Sequence, residues 1–479
     1  MRKLRSATTL LAALGAAGLA GTLAARQLGR ALANRLHDEF MKRIMSDLYE
    51  ENLWEVVSST ARVGPEVVLE TSLRAQEGKL IERPMGPPRQ FPGLDDIKFD
   101  IAQLHTMPTE IETEIDISAV IGPQARRPLE IKHFMMMAPM AYGIALSKRM
   151  KIALAKGSAA AGTASHTGAG AFLKEEREAA KYLVYQYNRG DWGKTADIMC
   201  QCDAVEIQLG QGAYGGIGHV FKADLMDAEL RQAFKKKKGE DLITHARQPE
   251  VQSPKELKRL IDRLRAMTDG LPIGVKITAG KHLEADLYWV CSSGADFVVI
   301  DGAEAASKGS PPIIQDDFGV PTAFAVDRAA NWMRKNGYKD KVSLIASGRI
   351  RTPGDALKVR ALGADACEIG TIALIAASHL QTLKALPFEP PTAIAFYGEA
   401  DAYDFDIDQA AGFLANFLES CRLEMAEGIR ALGKTSIKEV VKSDLMTTNE
   451  MYAKALGIPM VYDPFNTEGF APRVRRIKL

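Results

Sequence analysis

The feature that most limits what this chain can fold into is an eightfold alternation of short apolar, β-branched runs with longer amphipathic ones. Strand-like runs lie at residues 133–140, 158–165, 182–188, 204–209, 273–278, 297–301, 343–347 and 366–370. Helix-like patterns follow them at 144–155, 172–180, 194–201, 254–267, 283–292, 323–335, 352–362 and 372–383. Strands that read as continuous apolar runs are buried on both faces, as in a parallel sheet covered by helices. Eight strand-to-helix steps predict an α/β chain folded as a (β/α)8 TIM barrel, with its chemistry at the C-terminal ends of the strands.

The last two of those ends carry glycine turns, Ser347-Gly348-Arg349 and Gly370-Thr371. Glycine lets main-chain N–H groups approach an anion, so the pair predicts a phosphate-bearing ligand, either a flavin mononucleotide (FMN) or a sugar phosphate. No Gly-x-Gly-x-x-Gly unit follows a strand, which disfavours a dinucleotide. The first strand ends in Pro139-Met140-Ala141, a small-residue turn that can pack on a flat ring. The second offers Thr167 as a hydroxyl donor, and the sixth ends in Asp301-Gly302, a contact for a ligand chain or simply a helix-start acid.

Two interior polar positions stand out. Glu206 and Gln208 alternate with apolar residues on one face of the fourth strand. Lys276 sits between Val275 and Ile277, and a lysine in an apolar strand is costly to bury without a partner. Either a flavin edge or acidic substrate compensates it, or Glu206 does. Lys276, Gln208 and Glu206 are the expected catalytic residues. The expected ligand-binding set is Pro139, Met140, Ala141, Thr167, Gln208, Lys276, Asp301, Gly302, Ser347, Gly348, Arg349, Gly370 and Thr371.

Outside the barrel the sequence divides into an anchor and amphipathic helix (1–45), a mixed lead-in (46–132), the barrel (133–395) and a helical C-terminal extension (396–479), with helices expected at 405–432 and 436–456. Residues 8–25 are uncharged, and eighteen such residues nearly span a bilayer. Basic residues from Arg26 onward outnumber those upstream, which predicts a single-pass cell-membrane protein with its catalytic domain on the cytoplasmic side. A formal net charge of +1 gives no footing for nucleic-acid binding. The five cysteines are scattered, and neither a metal site nor a disulfide framework is expected.

The segment from Glu112 to Ser147 resembles the lead into the FMN-binding synthase domain of glutamate synthases, most closely the stand-alone archaeal type. Phe91 through Leu104, Gly210-Gln211-Gly212-Ala213, Val275-Lys276, Ser310-Pro311, Ser347-Gly348 and Gly370-Thr371 fall where that family's motifs do. The resemblance implies FMN, a 2-oxo acid or amino acid as small-molecule substrate, and hydride transfer between flavin and an imine. It also implies an electron-donor or amidotransferase subunit as partner, and a homo-oligomer is compatible with it.

This chain departs from the family at telling places. The family's iron–sulfur cysteines correspond to His379, Ala385 and Pro390, so a thiolate-held cluster is not expected. Its glutamate after the second strand appears as Ala169, and its two lysines near the fourth as Gln208 and Tyr214. The residue after Met1 is Arg2, not the family's nucleophilic cysteine. These departures keep two other readings open: a membrane-linked flavin amine or amino-acid dehydrogenase feeding quinone, and a flavin-binding scaffold without catalysis. Hydroxy-acid oxidases and nucleotide dehydrogenases on this fold are disfavoured, because the loop after the sixth strand has neither the histidine nor the cysteine they use.

Overall fold

The computed structural model describes residues 2–464 apart from 213–214 and 306–307; the side chains of residues 2–23 and of Ala400 lie outside that description. The chain separates into two compact units, residues 1–81 and 82–479.

The first unit is helical. One helix runs from Arg2–Ser46, followed by Trp54–Val63 and Pro65–Glu77. Gly64 separates the last two, and Pro65 opens the third helix where a missing N–H costs nothing. Among the described residues no helix is long and apolar enough to cross a membrane. This overturns the single-pass anchor and the membrane localisation drawn from residues 8–25, most of which have side chains outside the description. Ten of those eighteen residues are Ala or Gly, which bring little apolar surface, so the length of the uncharged run does not make it a membrane span.

The second unit is built on an eight-stranded parallel sheet. Its strands are β1 (Met135–Met137), β2 (Ala164–His166), β3 (Tyr182–Tyr187), β4 (Ala204–Gln208), β5 (Ile273–Thr278), β6 (Phe297–Asp301), β7 (Ser343–Ser347) and β8 (Ala366–Ile369). They pair in the order β1-β8-β7-β6-β5-β4-β3-β2, a nearly closed barrel. The seam between β1 and β2 carries no ladder. It is bridged by Lys132 N–H to the Gly162 carbonyl (2.9 Å) and by Thr163 Oγ1, 2.8 Å from the Met135 carbonyl.

Each strand is followed by a helix: α1 (Lys148–Ala160), α2 (Lys174–Ala179), α3 (Ala196–Cys200), α4 (Pro254–Met267), α5 (Leu283–Ser292), α6 (Thr322–Lys335), α7 (Pro353–Leu362) and α8 (Thr371–Ala377). The helix starts follow from local chemistry. Ser147, Thr195, Ser253 and Thr352 cap first-turn N–H groups with their hydroxyls, and proline stands at the first position of α4 and α7. The strands are apolar because sheet and helices bury both of their faces; Val298, Val299, Ile300 and Leu344 have no exposed surface.

Two expected elements came out differently. The run 158–165 was expected as a strand, but α1 continues to Ala160 and β2 begins only at Ala164. Its small residues suit close helix packing: a Cβ on Gly157 would lie 2.8 Å from Leu414 in α9 (Ile407–Ala431). The run 436–456 was expected as helix. It begins as short 3-10 turns and a strand, Leu445–Thr447, paired antiparallel with Ile97–Phe99, and is helical only in its last part, an α turn at Glu450–Tyr452 running into a π-helix at Ala453–Gly457. A distant partner strand overrode local propensity there. The insertion after β4 forms a ribbon, His219–Phe221 with Leu242–Thr244, and its Leu230 and Phe234 join Tyr142, Leu173 and Trp192 in a small second apolar cluster.

Candidate active site

A cavity of about 520 Å³ opens at the C-terminal ends of the strands, within the range of cofactor and substrate sites. Pro139, Met140, Ala141, Gln208, Lys276, Asp301, Ser347, Gly348, Arg349, Gly370 and Thr371 all line it. Thr167, Gly302 and Glu206 do not. Thr167 Oγ1 instead bridges the Gly168 carbonyl and Gln186 N–H (2.9 and 3.0 Å), behind the wall. Gly302 packs so tightly that a Cβ would lie 2.1 Å from Thr322 Oγ1. Glu206 lies beneath the floor.

The floor is organised around Lys276, which is 1% exposed. Its Nζ donates to Glu368 Oε2 at 2.6 Å and lies 2.8 Å from Asp301 Oδ1. Burial works against this charge, but Asp301, Glu368 and Glu206 outweigh it and hold the ammonium above its usual range. Glu206 accepts from Gln186 Nε2 at 2.7 Å and lies 3.4 Å from His166 Nε2. Burial disfavours its charge, yet His166, Lys276 and Gln186 hold the carboxyl below its ordinary value. Burial keeps His166 below its own ordinary value, and its Nδ1 accepts from Gly168 N–H at 3.1 Å. Glu368 is pushed up to about 8, first by burial and then by Glu206 and Asp301, with Lys276 opposing.

His166, Glu206 and Glu368 bring three donor atoms within 4.8 Å of one another. A metal ion would compete there with Lys276, whose ammonium already supplies the cation at Glu368.

The two glycine turns after β7 and β8 both lie on the cavity wall. Gly348 has φ 121°, a conformation suited to glycine, and a Cβ would lie 2.5 Å from Thr322 Oγ1. Gly370 precedes α8 with no side-chain cap, leaving first-turn N–H groups without a side-chain acceptor, and Arg349 adds a cation to the same wall. Glu304, pushed up by burial, accepts from Thr322 N–H and Oγ1 at 2.8 and 2.7 Å, beside Gly348. Arg189, Lys308 and His219 complete the mouth. Tyr214 and Ala213 lie outside the described residues.

Sequence reasoning missed Glu368 as a site residue. The alternative it held open for Lys276 was Glu206, whereas the direct partners are Asp301 and Glu368. The signal was present: Glu368 interrupts apolar β8 as Lys276 interrupts β5.

Fold and cavity together define a (β/α)8 protein with a ligand site at its C-terminal face. The sequence matches the conserved region in glutamate synthase over residues 95–435. It is 31% identical to the glutamate synthase large subunit-like protein of Rhizobium meliloti (strain 1021), over 79% of this chain and 89% of that one. It is 32% identical to the archaeal-type glutamate synthase [NADPH] of Thermotoga sp. (strain RQ2), over 56% of this chain and 52% of that one. The archaeal glutamate synthase [NADPH] of Methanocaldococcus jannaschii is also 32% identical, over 56% and 53%. The chain thus spans about half the length of the archaeal-type relatives it matches. It belongs to the glutamate synthase family.

Proposed function

We infer that this protein is an FMN-dependent oxidoreductase of the glutamate synthase type, interconverting an imine or 2-oxo acid and an amino acid. The observation that carries the reading is the cavity itself, in which the family's motif positions converge on one buried cation. The residues present fit the flavin. Gly348 and Gly370 leave backbone room for a phosphate beside Arg349, and Pro139, Met140 and Ala141 offer a flat small-residue wall. Lys276 supplies positive charge where electron density gathers on reduction. When bound, FMN supplies hydride transfer.

The chain's own residues do the rest. Asp301 and Glu368 hold the Lys276 ammonium in place from two strands. Gln208, whose Oε1 makes no hydrogen bond among the described residues, lines the cavity as an acceptor for a substrate or ring N–H. Gln208 and Tyr214 stand where the family has lysines, so charge for an anionic substrate comes instead from Lys308, which lines the cavity. Lys308 sits 4.8 Å over the Phe396 ring, and burial lowers its pKa. Names of the relatives include NADPH; without cluster cysteines at His379, Ala385 and Pro390, electrons reach this site from a direct two-electron donor or a partner subunit.

The test is a visible absorption spectrum of the purified protein, identification of the released flavin, and anaerobic reduction with candidate amino acids. Bound FMN that an amino acid reduces sustains the reading. Absence of flavin overturns it, and bound flavin that no donor reduces leaves a scaffold.

A further inference from the structure

We propose that Glu368 is the neutral acid of the cavity floor and the donor of the proton that completes amine formation there. The proposal rests on the functional reading above for its reaction, but its first claim concerns the protein alone.

The geometry singles out Glu368 among three buried carboxylates. Asp301 takes the Gly212 main-chain N–H through Oδ2, with Lys276 at its other oxygen. Glu206 takes Gln186 Nε2 and faces His166. Glu368 has one donor, Lys276 on Oε2, and its Oε1 has no hydrogen-bond partner among the described residues. Three ionised carboxylates around one ammonium leave two uncompensated buried negative charges, and a proton removes one of them. That proton settles on the carboxyl with the fewest donors. Glu368 then accepts from Lys276 through one oxygen and turns the other, as O–H, to the cavity that it lines.

The groups facing it are Lys276 from β5, Asp301 from β6, Glu206 from β4 and His166 from β2. Neighbouring β1 and β7 present Met136 and Ser347 at its register, neither of which titrates in this range. Burial first, then Glu206 and Asp301, favour the protonated form.

Reducing a C=N bond takes a hydride on carbon and a proton on nitrogen. The hydride brings both electrons. The O–H bond of Glu368 breaks, the N–H bond forms, and the carboxylate left behind is held by Lys276. In the reverse direction the same carboxylate takes the proton back from the amine.

Infrared spectroscopy of the full chain between about pH 6 and pH 10 tests the first claim, with or without flavin. A carbonyl band of a protonated acid is expected at the lower pH, shifted in D2O and lost as pH rises through about 8. Its intensity should drop in Glu368→Gln and be retained in Asp301→Asn. A band of undiminished intensity in Glu368→Gln, or its absence from the wild type at the lower pH, overturns the proposal.

The second claim is read from the pH profile of amine formation. Wild-type kcat should fall about tenfold per pH unit above the acid's pKa, and Glu368→Gln should lose at least about 100-fold and the alkaline limb with it. Retention of that limb in Glu368→Gln would assign it elsewhere. Circular dichroism and flavin absorbance of the variant separate this outcome from misfolding. Absence of flavin sinks the functional reading while the infrared band still decides the first claim.

Discussion

Two lysines lie fully inside this barrel, and they are not alike. Lys151 on α1 meets Glu176 on α2 at 2.8 Å and donates to the His166 carbonyl at 2.6 Å; lysine and glutamate side chains are 1% and 0% exposed. Lys276 on β5 is just as buried but has three carboxylates for company and a cavity above it. Lys151 lies outside the residues lining the cavity. Burial and ion pairing are therefore common to both. What separates them is the ratio of acids to bases and a face open to a ligand. The first lysine staples α1, α2 and β2 together, and the second is poised for chemistry.

The comparison can be broken most abruptly at Gly348. Gly348→Val should abolish flavin retention, because the side chain meets Thr322 and the backbone conformation disfavours any Cβ. Only the Lys276 side of the molecule should notice, so the variant should keep its fold. A variant that purifies with full yellow colour would move the phosphate away from Gly348, Arg349, Gly370 and Thr371.

Lys151→Met should cost about 3–5 kcal/mol of stability, since it strands the Glu176 carboxylate without its cation. Denaturant titration measures this, and flavin bound by the remaining folded protein should keep its potential. Lys276→Met should do the opposite. Its surplus carboxylates can take up protons at a cavity, so stability changes less, while the flavin midpoint potential falls. A contribution of roughly 1–4 kcal/mol at partial screening corresponds to roughly 20–90 mV for a two-electron couple. An unchanged potential in the flavin-loaded variant would make both lysines structural. The smallest effect belongs to the double change Lys151→Met with Glu176→Leu, which removes both charges together and should stay within about 1–2 kcal/mol of wild type. A loss as large as that of the single variant would mean that the pair does more than hold helices to the sheet.

Much of the barrel was legible because its signal is local. An apolar run bounded by turn residues reads as a buried strand whatever lies around it, and Lys276 was conspicuous as the one cation within such a run. Its partners were harder to see. Glu368 is 92 residues away from Lys276, on a strand that does not pair with β5, and sequence carries no register between strands that meet only through the barrel interior. The same limit explains Thr167 and Gly302. Both sit at strand ends, but whether such a residue faces the cavity or its wall depends on neighbours, here Gln186 and Thr322. At the amino terminus the difficulty was the reverse, since an uncharged run of small residues imitates the span of a bilayer in length alone.

The seam beside β1 carries a consequence for how the molecule is made. Met135–Met137 leave the ribosome first among the eight barrel strands, yet their ladder partner is β8, the last of them. The neighbour made next, β2, offers no ladder, only the bridges made by Lys132 and Thr163 beside the seam. During synthesis β1 is thus an apolar edge without a mate until the six strands between have been laid down. The nascent chain has to shelter that methionine edge for most of its length. Closure of the ring, and with it the completion of the floor around Lys276 and Glu368, is a late event in the life of each molecule.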